Sequence, residues 1–112
     1  MSFTVDWDAA MASVNQDRDL LKMVIDAFLQ ESVQIQDRVK NAIATNDAGL
    51  LQRSGHTLKG TMMSLGAAPW SEVAEKLEEL GATGSTEGAS SLMANLEEHM
   101  PELLEQLGSF SP

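Results

Sequence analysis

A chain of 112 residues with 17 Asp plus Glu against 7 Lys plus Arg carries a formal charge of -10 and has no cysteine. Its length suits one domain with a modest core; the missing thiols remove disulfides and thiolate metal sites, and the negative charge opposes phosphate backbones and anionic lipid surfaces, so neither nucleic acid nor a membrane is an expected partner. No apolar run approaches the roughly 20 residues that span a bilayer, and no basic-then-hydrophobic leader opens the chain, so a soluble cytoplasmic protein is expected.

Strand signals are weak, whereas helical spacing recurs along the chain. After an extended start at Ser2 to Val5, Asp6 is placed to cap a short helix to about Val14, with Trp7, Ala10, Met11 and Val14 on one apolar face. Asn15-Gln16-Asp17 breaks that helix, and Asp17 caps a long one whose stripe of Leu20, Leu21, Val24, Phe28, Ile35, Val39 and Ile43 continues to about Thr45. Asn46 or Asp47 caps a third helix, which carries His56 and should end near Gly66. The short connection makes the second and third helices antiparallel neighbours.

Pro69 suits the first turn of a fourth helix, followed by Trp70, Val73, Ala74, Leu77 and Leu80 at helical spacing, with Gly81 as its stop. The Gly-rich stretch 81–88 reads as a loop between helices, too short to separate domains. The last helix should run from about Glu87 to Leu107 with Leu92, Leu96, Met100, Leu103 and Leu107 buried, and Pro101 should kink it. These stripes are buried most simply in an all-α fold, an antiparallel up-down four-helix bundle with a short extra N-terminal helix, as a single domain over 1–112 with its core at about 5–107. Such a bundle closes its own core, so a monomer is expected.

The segment Gly55-His56-Thr57-Leu58-Lys59-Gly60 carries the chemistry. On a helix, His56, Lys59, Gly60 and Met63 fall on one side, and Leu51, Leu58, Met62 and Leu65 on the other. An imidazole near neutral pH offers a ring nitrogen lone pair for attack on phosphorus. Lys59, one turn later, can place positive charge near phosphoryl oxygens. Gly60 leaves the same face open, which gives a reason for a helix-interior glycine that costs on the order of 1 kcal/mol relative to alanine. An isolated exposed histidine is usually only a solvated side chain; its position between two glycines, opposite a continuous apolar stripe, is what argues for a role here.

His56-Thr57-Leu58-Lys59-Gly60 with Leu65-Gly66-Ala67, the opening Val5-Asp6-Trp7-Asp8, the helix begun at Asp17, the stretch from Phe28 to Val39 and the Asn46-Asp47 turn together resemble the histidine-containing phosphotransfer (HPt) domain of multistep bacterial phosphorelays, especially those of hybrid sensor kinases. The resemblance implies that His56 takes a phosphoryl group from an aspartyl phosphate on one receiver domain and passes it to an aspartate on another. It further implies that Lys59 helps neutralise that group and that Gly60 gives access. The implied partners are response-regulator receiver domains and a hybrid sensor histidine kinase; Mg²⁺ would be held by the receiver, and the chain would need no cofactor or metal of its own. With no Gly-rich phosphate loop it would be a carrier rather than a kinase.

Gln52, Arg53, Lys59 and Met63 are the expected docking surface. Met63 stands where the family often has a small or polar residue, and reads equally as an adaptable contact or as cover for a neighbouring helix. Gly55, where alanine is frequent, would let another helix approach closely. His99, lacking a second ligand at metal-binding spacing, is expected at the surface; Ser54 reads as a helix residue, Glu72, Glu75, Glu78 and Glu79 as a solvated face, and Trp7 and Trp70 as core or cap residues. The alternative is a helical adaptor that binds partners without phosphoryl chemistry.

Overall fold

The computed structural model describes residues 2–112, among which there are five helices and no strand: α1 (Trp7–Ser13), α2 (Arg18–Ala44), α3 (Ala48–Ser64), α4 (Ala68–Ala82) and α5 (Ala89–Gly108). Three aspartates set the starts. The side chains of Asp6, Asp17 and Asp47 accept from the amides of Ala9, Leu20 and Leu50 at 3.1, 3.1 and 2.9 Å, so each satisfies one of the donors a helix N-terminus leaves free. The breaks between helices use left-handed backbone at Asn15, Gln16, Asn46 and Gly66, a conformation that Asn and Gly tolerate best.

Helices α2 to α5 close into a four-helix ring, each packed on its sequence neighbour and α5 back on α2, while α1 lies against α2 and α3. The connections are short, which makes successive helices antiparallel. Buried Leu21, Ile25, Phe28 and Val39 of α2 face Leu51, Leu58 and Met62 of α3, Trp70 and Leu77 of α4, and Leu96, Leu103 and Leu107 of α5 in one continuous core. Removing each such large side chain from water contributes roughly 1.5–3 kcal/mol. The N-terminal strand-like segment is held on α5 by Gln106, whose amide accepts from Val5 N at 2.7 Å and donates to Phe3 O at 3.1 Å. The amide of Asp6 donates to Gly66 O at 2.8 Å, tying the α1 cap to the α3–α4 turn.

The α3–α4 pair is the most intimate in the bundle. A Cβ on Gly55 would lie 2.8 Å from Glu78 N and 3.3 Å from Ala74 O, and one on Gly81 would lie 2.4 Å from Gln52 N and 2.7 Å from Ala48 O. One glycine on each helix therefore lets two backbones meet where side chains would hold them apart. As α3 numbers rise from 52 to 55, their α4 partners fall from 81 to 78, the register of an antiparallel pair.

Three expectations change in detail. Gly81 is not a stop: α4 continues through it to Ala82, and its role is the close contact with α3. Leu20 lies outside the buried stripe of α2, being a 100° step from buried Leu21, and Ile25 and Ala42 are inside it. Helix α5 starts at Ala89, after a left-handed Gly88, rather than near Glu87, and it contains Pro101. Among the described residues no helix is long and apolar enough to cross a membrane.

Candidate functional site

Helix α3 turns Leu51, Leu58 and Met62 into the core and thereby sends His56 outward, with 68% of its side chain exposed. The ring is not free to wander. Its Nδ1 lies 2.6 Å from Oε2 of Glu78, a residue of α4. The other carboxylate oxygen, Oε1, lies 2.7 Å from Nζ of Lys59, one turn beyond His56 on α3. Glu78 thus bridges the two α3 side chains, and is itself only 20% exposed, with Lys59 at 24%. The bridge depends on the glycine contact, since Gly55 admits the backbone of Glu78 directly beside His56.

Charge and protonation follow from these contacts. The hydrogen bond from Lys59 holds the Glu78 carboxyl below its ordinary range against some desolvation, with the His56 contact and the positive charge of Lys59 adding to the effect. Conversely, the hydrogen bond to Glu78 raises Lys59 above its ordinary value, again against desolvation, with the charges of Glu78, Glu75 and Glu79 contributing. Glu78 is therefore an ionised acceptor. An ionised carboxylate can only accept, so the hydrogen on the short His56–Glu78 contact belongs to Nδ1; in a neutral imidazole so held, the lone pair is on Nε2.

Around this centre the surface is open on one side. Nothing lies within 4 Å of a Cβ built on Gly60. Met63 is 60% exposed and with Lys59 lines a groove of about 440 Å³ whose other walls are Asp6, Ala9, Gly66, Ala68, Ser71 and Glu75. Gln52 and Arg53 are exposed one turn before His56. Arg53 belongs to a different, smaller cleft of about 130 Å³ between α2 and α3, shared with Ile35, Arg38, Leu50, Ser54 and Thr57. The four docking candidates therefore fall on two sides of the histidine. Thr57 and Thr61 beside it donate to carbonyls of their own helix, at Arg53 O (3.1 Å) and Thr57 O (3.0 Å), as buried Ser54 does to Leu50 O at 2.8 Å.

Two readings of single residues need correction. Glu78 does not belong with Glu72, Glu75 and Glu79 on a solvated face; it is the partner of both His56 and Lys59. His99 is half-buried rather than a plain surface residue: Phe3 stacks on its ring with centroids 3.7 Å apart, and Trp70 donates to its carbonyl at 2.9 Å. Trp70 is fully buried and Trp7 partly so, stacked on Phe110. Among the described residues, no three His, Asp or Glu side chains cluster so as to hold a metal ion.

The sequence matches the family model described as Hpt domain over residues 23–110, and the chain belongs to that family. Two solved structures share the fold. Histidine-containing phosphotransfer protein B (HptB) from Pseudomonas aeruginosa PAO1 superimposes with a TM-score of 0.84 at 20% identity, covering 93% of this chain and 90% of that one. The HPT domain of the Hpt sensor hybrid histidine kinase from Shewanella does so with a TM-score of 0.79 at 15% identity and the same coverage. No curated protein sequence matches the chain. The family places the protein in the class of phosphorelay phosphocarriers of two-component signalling.

Proposed function

We propose that His56 is the phosphoryl-carrying residue of this phosphocarrier, loaded from an aspartyl phosphate of one receiver domain and discharged to an aspartate of another. In the loading step the Nε2 lone pair attacks phosphorus, an N–P bond forms, and the acyl P–O bond breaks with its electrons leaving on the receiver carboxylate. Discharge is the reverse, with the second carboxylate as nucleophile. The transferring group is largely metaphosphate-like, so the site's task is placement and charge rather than covalent activation. Gly60 leaves space for the incoming phosphoryl group, and Lys59 supplies the cation beside the ring.

The observation that supports this reading most directly is an exposed imidazole whose Nδ1 is occupied by a carboxylate of the neighbouring helix. A helical adaptor would not need one ring nitrogen tied down and the other presented. The partners would be receiver domains and the hybrid sensor kinase that bears one, with Mg²⁺ held by the receiver and no cofactor on this chain. We place the carrier in the cytoplasm, as a monomer without kinase activity, docking through Met63 and Lys59 on one side of His56 and Gln52 and Arg53 on the other. Incubation with a phosphorylated receiver should give an acid-labile, base-stable label that a second receiver removes. The same label on His56→Gln would refute the assignment, and no label from any receiver would favour the adaptor.

A further inference from the structure

Resting on the assignment of His56 as carrier, we infer that Arg38 and Arg53 form a clamp for one acidic side chain of the receiver domain that docks on His56, and so help decide which receivers exchange phosphoryl groups with this protein. The two exposed arginines come from different helices, Arg38 from α2 and Arg53 from α3, and line one cleft of about 130 Å³. Neither has a carboxylate partner among the described residues. The ion pairs there engage Lys22, Lys40, Lys59 and the two histidines, and no carboxylate lines the cleft. Nor does either helix supply one, since the positions three and four away hold Gln34, Ile35, Asn41 and Ala42 around Arg38, and Gly49, Leu50, His56 and Thr57 around Arg53. Asp47, further back on α3, spends its Oδ1 on the Leu50 amide. In a chain with 17 Asp plus Glu against 7 Lys plus Arg, two unpaired guanidiniums sharing one cleft repel each other, and an anion between them replaces that repulsion by attraction.

Size and lining specify the occupant. The cleft is well below the roughly 300–1,000 Å³ of small-molecule sites, so it takes a single side chain. Ile35 and Leu50 cover an aliphatic stem, while the guanidiniums take the carboxylate oxygens in the bidentate manner that their planar forks favour. Position names the partner. Thr57, the residue after His56, stands in the wall of the cleft, and Arg53 is about 4.5 Å of helix rise from His56. A protein docked with its aspartate at His56 covers on the order of 800 Å² of this surface, which reaches well past that separation. The other side of the histidine carries the opposite charge, with Asp6 and Glu75 in the wall of the larger groove. An acidic side chain over the arginines is therefore drawn in, and a receiver that turns the same acid toward α4 is repelled.

Transfer from a panel of phosphorylated receivers tests this, with the half-saturating receiver concentration read separately from the rate at saturation. For the fastest donor, Arg38→Gln and Arg53→Gln should each raise the half-saturating concentration by about three- to tenfold, leave the saturated rate within about twofold, and weaken the dependence on salt between about 50 and about 300 mM NaCl. Lys76→Gln removes the same charge from an exposed α4 cation that also lacks an ion pair among the described residues, and should change the half-saturating concentration by less than about twofold. Replacing the Asp and Glu residues of that receiver one at a time by Arg should yield one variant that restores transfer to the doubly reversed Arg38→Glu/Arg53→Glu protein. Wild-type half-saturation in both Gln variants, an equal effect from Lys76→Gln, a fall in the saturated rate alone, or failure of every receiver variant to restore the reversed pair would overturn the inference. A wild-type protein that takes no label from any receiver would instead overturn the carrier assignment itself, and the clamp with it.

Discussion

The two histidines of this chain each have a carboxylate at Nδ1, and almost everything else about them differs. His56 has 68% of its side chain in solvent and meets Glu78 at 2.6 Å, on another helix, where Lys59 holds the carboxylate from its far side. His99 has 26% exposed, is stacked face to face on Phe3, and lies 3.4 Å from Glu102, an exposed residue one turn along its own helix. One ring is oriented by a fixed partner and left open at the other nitrogen. The other is packed for its shape, and its contact with Glu102 is longer than a good hydrogen bond. Exposure together with a rigid second partner, rather than a carboxylate nearby, distinguishes a ring suited to carrying a group from one that fills space.

The sharpest way to break the comparison is to exchange each ring in turn. His56→Gln should lose all histidine-linked label in the receiver assay, whereas His99→Gln should keep the wild-type rate within about twofold and lose stability instead, by roughly 0.5–1.5 kcal/mol for the aromatic pair, read by urea unfolding.

A second contrast lies among the glycines of α3 and of the α4 face packed against it. Gly81→Ala and Gly55→Ala force a methyl group into backbone of the facing helix at 2.4 and 2.8 Å, and each should destabilise the fold by about 1–3 kcal/mol, as overpacking does. Gly55→Ala should in addition disturb the His56 ring signals, because Glu78 is the residue displaced. Gly60→Ala meets nothing within 4 Å and should raise stability by up to about 1 kcal/mol through helix propensity, while a bulky residue there should slow transfer between proteins. Equal stability changes at Gly55 and Gly60 would erase the distinction between a packing glycine and an access glycine.

The smallest effect expected is on acid stability. Because Glu78 is held below its ordinary value of 4.5, its contribution is complete above that value and is lost as pH falls through the lower, folded-state value. Lys59, raised above 10.5, contributes fully below that value and loses its share only at still higher pH. Glu78→Gln should therefore shift the acid-unfolding midpoint slightly and leave stability near neutrality less changed than the glycine variants do.

Much of this arrangement was legible in the sequence, and the gaps have physical causes. Two caps were visible as Asp6 and Asp17 ahead of apolar periodicity and the third only as Asn46 or Asp47, of which Asp47 is the cap; the outward face of α3 followed from the 100° step between Leu58 and Lys59. Glu78 was not distinguishable from Glu75 or Glu79, because which carboxylate of a run meets another helix is set by the register between helices, not by the run itself. The available clue was the pair Gly55 and Gly81: read as close-approach positions on antiparallel helices, they bring Glu78 beside His56. Gly81 instead looked like a helix end, since glycine serves both purposes. His99 was misjudged because its cover, Phe3, arrives from the far end of the chain, and local spacing carries no record of such a contact. Leu20 was an apolar residue in a plausible stripe, and only the packed bundle shows that the stripe lies one step further round.

The most direct measurement is site localisation on the intact protein, loaded by a phosphorylated receiver and fragmented under conditions that spare the N–P bond. The expected result is a phosphoryl group on His56 alone, with ring NMR placing it on Nε2. Phosphate found on His99 or on a carboxylate, with His56 unmodified, would contradict the assignment of His56 as the carrier.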